Sequence, residues 1–166
     1  MKKWMAWMLT VVLAGTLTAC GSGNKEQTSA DVDLEAFYSD VEEACGWEEG
    51  YMVDIEGEML ESYYPGMNEI SLKQFVAKMP MMSAVVNEVV FLQCDTEEDA
   101  GKAAEILQAR IDYQVGDENN PGGAWYPESI EAWKKGQVLQ NGTYVAMIAS
   151  AESQNDIVEA WNKAFQ

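Results

Sequence analysis

Apolar residues recur along this chain with two different periods, and the positions where the period changes mark out its elements. Between Asp33 and Cys45, the residues Leu34, Phe37, Val41 and Ala44 return at helical spacing, and Gly46 follows as a C-cap. A shorter helix is expected over Glu58–Tyr64, stopped by Pro65-Gly66. The stretches Leu72–Met79 (LKQFVAKM) and Ala84–Cys94 (AVVNEVVFLQC) are rich in β-branched and aromatic residues. Separated by a corner that contains proline, they read as adjacent strands.

The period then lengthens again. Asp95 or Thr96 opens a long amphipathic helix as its N-cap, with acids in the first turn where the helix dipole favours them. Ala100, Ala103, Ala104, Leu107, Ile111 and Val115 form its apolar stripe. Gly116–Gly123 (GDENNPGG) is a loop by composition, and a short helix is expected around Pro127–Lys135. The segment GQVLQNGTYVAMIAS predicts a hairpin turning at Asn141-Gly142. A last helix spans Ser153–Phe165, with Ile157, Ala160, Trp161, Ala164 and Phe165 on one side.

This order repeats weakly, since two apolar strands each lead through a polar capping turn into an amphipathic helix. The expected fold class is α+β: a four-stranded, mostly antiparallel sheet with helices packed on one face, built as two strand–strand–helix units.

The N-terminal pattern is of another kind. Met1-Lys2-Lys3 is a positive head, Trp4–Thr16 an apolar span, and Leu17-Thr18-Ala19 brings small residues up to Cys20. The span is shorter than the roughly 20 residues that cross a hydrocarbon layer about 30 Å thick. It reads as a secretory signal, and LTAC resembles the lipobox of bacterial lipoproteins, in which the cysteine is diacylated and becomes the mature N-terminus. The expected organisation is a lipoprotein signal peptide at 1–19, a flexible tether at 20–30 (Cys20 followed by GSGNKEQTSA) and a single α+β domain at 31–166. Cys20 is the expected lipidation site, with the diacylglyceryl cysteine holding the protein on the extracytoplasmic face of the cell membrane.

Charge narrows the function classes. Twenty-eight acids against ten bases give a net charge of -18. With no basic stripe, the chain is not expected to bind nucleic acid. Histidine is absent, which removes Ser-His and Cys-His nucleophiles and imidazole metal ligands. Fourteen acids and no base fall between Glu26 and Leu72. Asp31, Asp33, Asp54, Glu56 and Glu58 invite a calcium reading, yet they lack the spaced loop such a site needs, so a solvated acidic face is the preferred reading. Cys45 and Cys94 are either a disulfide of an oxidising compartment or, in the commoner case, two small buried side chains.

From about Ala36 onward the chain resembles a family of uncharacterised lipoproteins of Gram-positive bacteria, a domain of unknown function that follows a lipobox. The resemblance rests on NEVVFLQC, on the helix with Arg110 and Gln114, on WYPES (Trp125–Ser129) and on NGTYVAMIAS before a final helix. It implies lipid anchoring and a small α+β domain, and brings no activity, cofactor or catalytic residue.

No catalytic residue, metal ligand set or cofactor is therefore assigned. A binding or interaction module at the cell envelope, meeting an envelope protein or a glycan, is the preferred function. Trp125 and Tyr126 are its candidate binding residues, because they follow a Gly-rich loop instead of lying inside an element. Arg110 reads as a structural residue, paired with Glu88 or Asp112 to orient a helix. The alternatives are a carboxylate-dependent glycan hydrolase, which needs no histidine, and an accessory solute-binding component of a transporter, for which the domain is short.

Overall fold

The computed structural model describes residues 31–82 and 84–166. The signal, Cys20 and the whole of the tether lie outside the described residues.

The elements run α1 (Leu34–Cys45), β1 (Met52–Asp54), α2 (Gly57–Tyr63), a 3-10 turn (Met67–Glu69), β2 (Leu72–Pro80), β3 (Asn87–Cys94), α3 (Glu97–Val115), α4 (Pro127–Trp133), β4 (Gln137–Asn141), β5 (Tyr144–Ser150) and α5 (Gln154–Ala164). The sheet is fully antiparallel, in the order β1-β2-β3-β5-β4. It has five strands where the apolar pattern predicted four. The extra one, β1, is three residues inside the acidic run, too short to display a period. It is tied to the edge of β2 by the register Asp54↔Lys78 and by a Lys78 Nζ–Asp54 Oδ1 pair at 2.7 Å.

Helices cover both faces of the sheet, not one. Val89 and Phe91 of β3, with Ala146 and Ile148 of β5, pack against α1 and α5 through Leu34, Phe37, Ile157 and Trp161. Val90 and Leu92, with Val145 and Met147, pack against Ala103, Leu107 and Ile111 of α3 and Trp133 of α4. The reason is legible in the strands. Every residue of β5 is buried and all but one of β3, and side chains alternate across a sheet, so each face must be covered. The two strand–strand–helix units exist as β2–β3–α3 and β4–β5–α5, but their helices lie on opposite faces.

Local signals place the helix ends. Asp33 Oδ1 accepts from the amides of Glu35 and Ala36, both at 3.1 Å, and Gly46 closes α1 at φ +66°. Thr96 caps α3 by accepting from the Asp99 amide at 3.1 Å. The β4–β5 hairpin turns one residue later than expected: Asn141 pairs with Tyr144, which leaves Gly142 and Thr143 in the loop, with Gly142 at φ +58°.

The two cysteines belong to opposite sides of the sheet, Cys94 to the α3 side and half-buried Cys45 to the α1–α5 side, and both are free thiols. Burial is the first cause that raises both thiol pKa values, Cys94 to about 11. No helix among the described residues is long and apolar enough to cross a membrane.

Candidate functional site

On the α3–α4 side of the sheet, a cleft of about 620 Å³ opens between the end of α3, the start of α4 and the β2–β3 corner. Two charged residues are buried in its lining. Glu88 of β3 and Arg110 of α3 are 3% and 7% exposed. They meet side-on: Arg110 Nε donates to Glu88 Oε1 at 2.9 Å and Nη2 to Oε2 at 2.8 Å. The Tyr64 hydroxyl, fully buried, donates to Oε1 at 2.5 Å.

Aromatic rings flank the guanidinium, Tyr63 at 3.9 Å and Trp133 at 5.5 Å from ring centroid to Cζ. Such an arrangement satisfies the carboxylate and shields the pair from water. Burial opposes the charge on Arg110, but Glu88 outweighs it and holds the guanidinium pKa above its ordinary value. The Tyr64 phenol is pushed far up, first by burial and then by the Glu88 charge. Of the two partners read for Arg110, Glu88 is therefore the one it takes. Asp112 instead accepts from Gln108 at 2.9 Å.

Trp125 and Tyr126 stand at the mouth of this cleft, 89% and 58% exposed. The other tryptophans of the described residues are buried or half-buried, so Trp125 is the exception. The loop before it is firmly built. Asp117 Oδ1 accepts from the amides of Asn119 (2.7 Å) and Asn120 (2.9 Å), and the chain returns to α3 where Gly123 N donates to Tyr113 O (2.8 Å) and Ala124 N to Gln114 O (3.1 Å). The return works because Gly116 and Gly122 nearly touch: a Cβ on Gly122 would lie 2.7 Å from Gly116 N. Pro127, at the first helical position of α4, then fixes the exit.

The acids considered for calcium are dispersed. Asp33 caps α1, Asp31 accepts from the Tyr144 hydroxyl at 3.4 Å, and Asp54 pairs with Lys78. No group of three or more potential metal ligands forms among the described residues. Nor does the cleft assemble two carboxylates: Glu88 is the one among its lining residues, and Arg110 takes both of its oxygens.

Sequence reasoning offered Glu88 as one of two partners for Arg110 and named Trp125 and Tyr126 as binding residues, but did not bring the pair and the two rings together in one cleft. It also missed Met81 and Met82, 70% and 63% exposed, which follow directly from Pro80 in the cleft wall. Two methionines after a proline at a strand end were the available signal.

The class defined by this architecture is a small α+β domain whose antiparallel sheet carries helices on both faces and an aromatic-rimmed cleft on one. Residues 46–150 match DUF4358, a domain of unknown function, and the chain belongs to that family. The match takes in the whole cleft and leaves α1 and α5 outside it. No curated protein and no solved structure matches the chain.

Proposed function

We propose that this protein is a lipid-anchored, extracytoplasmic binding module of the cell envelope, and that the cleft behind Trp125 and Tyr126 is where it takes its partner. The observation that carries the reading is Trp125. A tryptophan loses far more by exposure than most side chains, and this one is 89% exposed beside a second exposed ring, on a rigid loop, at the edge of a cleft. Exposed Trp and Tyr are the side chains that most often dominate binding energy. Anchoring rests on the sequence Leu17-Thr18-Ala19-Cys20 after a positively headed apolar span. The chain's net charge of -18, with Lys2 and Lys3 in the signal and Lys25 and Glu26 in the tether, leaves the domain strongly acidic, which disfavours its contact with anionic lipid.

Two measurements test the proposal. Cys20→Ala should abolish incorporation of labelled fatty acid and leave an uncleaved precursor; label retained on that variant would remove the anchor. Trp125→Ala with Tyr126→Ala should leave stability within about 0.5 kcal/mol, as for surface substitutions generally, while reducing crosslinking to envelope partners on intact cells. A crosslinking pattern identical to that of the unaltered protein would move the binding face elsewhere.

A further inference from the structure

The cleft does not end at Arg110. Tyr63 and Arg110 also line a second groove of about 730 Å³ on the other side, between the α2 corner and α3. Its apolar lining comes from Pro65 and the half-buried Ile70 and Ile106, and its acids are Glu69, Asp99 and Glu105. Lys102, its lysine, is already held by Glu98 at 2.9 Å and Asp99 at 3.4 Å, and Arg110 is neutralised by Glu88. Exposed Glu69 and Glu105 form no ion pair among the described residues. The groove is therefore left negative.

At the junction of the two, Arg110 has a hydrogen-bonding edge to spare. Nε and Nη2 are engaged by Glu88, whereas Nη1 bonds to no group among the described residues. It is not sealed in, because the one fully buried side-chain nitrogen or oxygen without a partner among those residues is Gln154 Nε2. Arg110 is a lining residue of both the cleft and the groove. With Glu88 alongside and Glu69 in the same groove, a neutral carbonyl suits that donor better than another carboxylate.

The far end of the cleft separates two kinds of occupant. Met79 and Pro80 line the cleft, and the exposed Met81 and Met82 follow them directly in the chain. Flexible thioethers accommodate the varied apolar side chains of a peptide, and add little to a hydroxylated sugar ring. We infer that the occupant is an extended segment of a partner polypeptide, with apolar side chains in the Trp125–Tyr126 cleft, basic side chains against Glu69 and Glu105, and a backbone carbonyl on Arg110 Nη1 between them. The inference rests on the binding reading above and names the chemistry of its partner.

A random 12-residue peptide library displayed on phage, selected on the immobilised, detergent-solubilised full chain, tests it. Enriched peptides should combine Lys or Arg with aromatic or aliphatic residues, and as synthetic probes should bind more weakly as NaCl rises. Glu69→Gln with Glu105→Gln should weaken them about three- to tenfold, each exposed charge being worth a few-fold, and flatten the salt dependence with no change in melting temperature. Enriched peptides without basic residues, or indifferent to the two glutamine substitutions, overturn the inference; if Trp125→Ala still weakens them, the cleft reading stands. Binding of N-acetylglucosamine oligomers that needs Trp125, with no peptide enriched, makes the occupant a glycan and likewise overturns it. If neither probe binds in a Trp125-dependent way, both readings fall.

Discussion

Arg110 is 7% exposed and yet charged, so its stability depends on what surrounds it more than on its own chemistry. Desolvating an ion costs several kcal/mol, which the paired geometry with Glu88 and the Tyr64 hydroxyl offsets. Removing one partner leaves the other buried and uncompensated. Arg110→Met should therefore cost about 3–5 kcal/mol of unfolding free energy, read by urea denaturation. Adding Glu88→Leu to that variant should recover most of the loss, because no buried charge then remains. A double variant as unstable as the single one would mean that the pair is valued for its shape and not for its neutralisation. Sequence reading reached Arg110 as a lone base on an acidic domain but left Glu88 and Asp112 both open. Asp112 is only two residues away and points elsewhere on the helix, while Glu88 lies 22 residues off and meets Arg110 only because β3 and α3 pack together.

At the scale of elements, the loop between α3 and α4 decides where Trp125 and Tyr126 stand. Gly116 ends α3 at φ +69°, and Gly122 closes back on it at φ +72°. A methyl group on Gly122 would meet backbone at 2.7 Å, with nothing flexible to move aside, in a left-handed conformation that costs a residue with a Cβ roughly 1–2 kcal/mol. Gly122→Ala should destabilise the domain by more than that strain alone, the backbone clash adding to it, measured by thermal melting. It should also weaken peptide or crosslink capture although both rings are intact; unaltered capture would show that the rings act without the loop's precision. The composition GDENNPGG announced a loop. That its two ends touch depends on amides donating back to Tyr113 and Gln114, which no local pattern encodes.

Over the whole molecule, the absence of histidine removes the side chain that ordinarily titrates near neutrality. Stability should accordingly be level between about pH 6 and 8. On the alkaline side the sign is set by Cys94, Tyr64 and Tyr38, whose pKa values are all raised, chiefly by burial, with Cys94 at about 11 against an ordinary value near 9. The folded state holds these protons more tightly than the unfolded chain, so their contribution is whole below pH 9 and is lost as pH rises through the folded values. Urea midpoints should fall from about pH 9 upward, and Cys94→Ala should flatten the part of that fall between pH 9 and 11. A midpoint that stays level to pH 11 would mean that these groups are not held neutral by the fold.

The α+β class, the principal strands and helices, the cap at Gly46 and, to within one residue, the cap at Thr96 were readable from the chain alone, because apolar period and capping chemistry act within a few residues. So was the prominence of Trp125 and Tyr126, which stand next to a loop by composition. The second covered face was written in the unbroken apolar runs of β3 and β5 but read as one-sided. The edge strand β1, the choice of Glu88 over Asp112 as the partner of Arg110 and the groove that continues past Tyr63 came from packing. They join residues tens of positions apart, and only the arrangement of sheet and helices brings such residues within hydrogen-bonding distance.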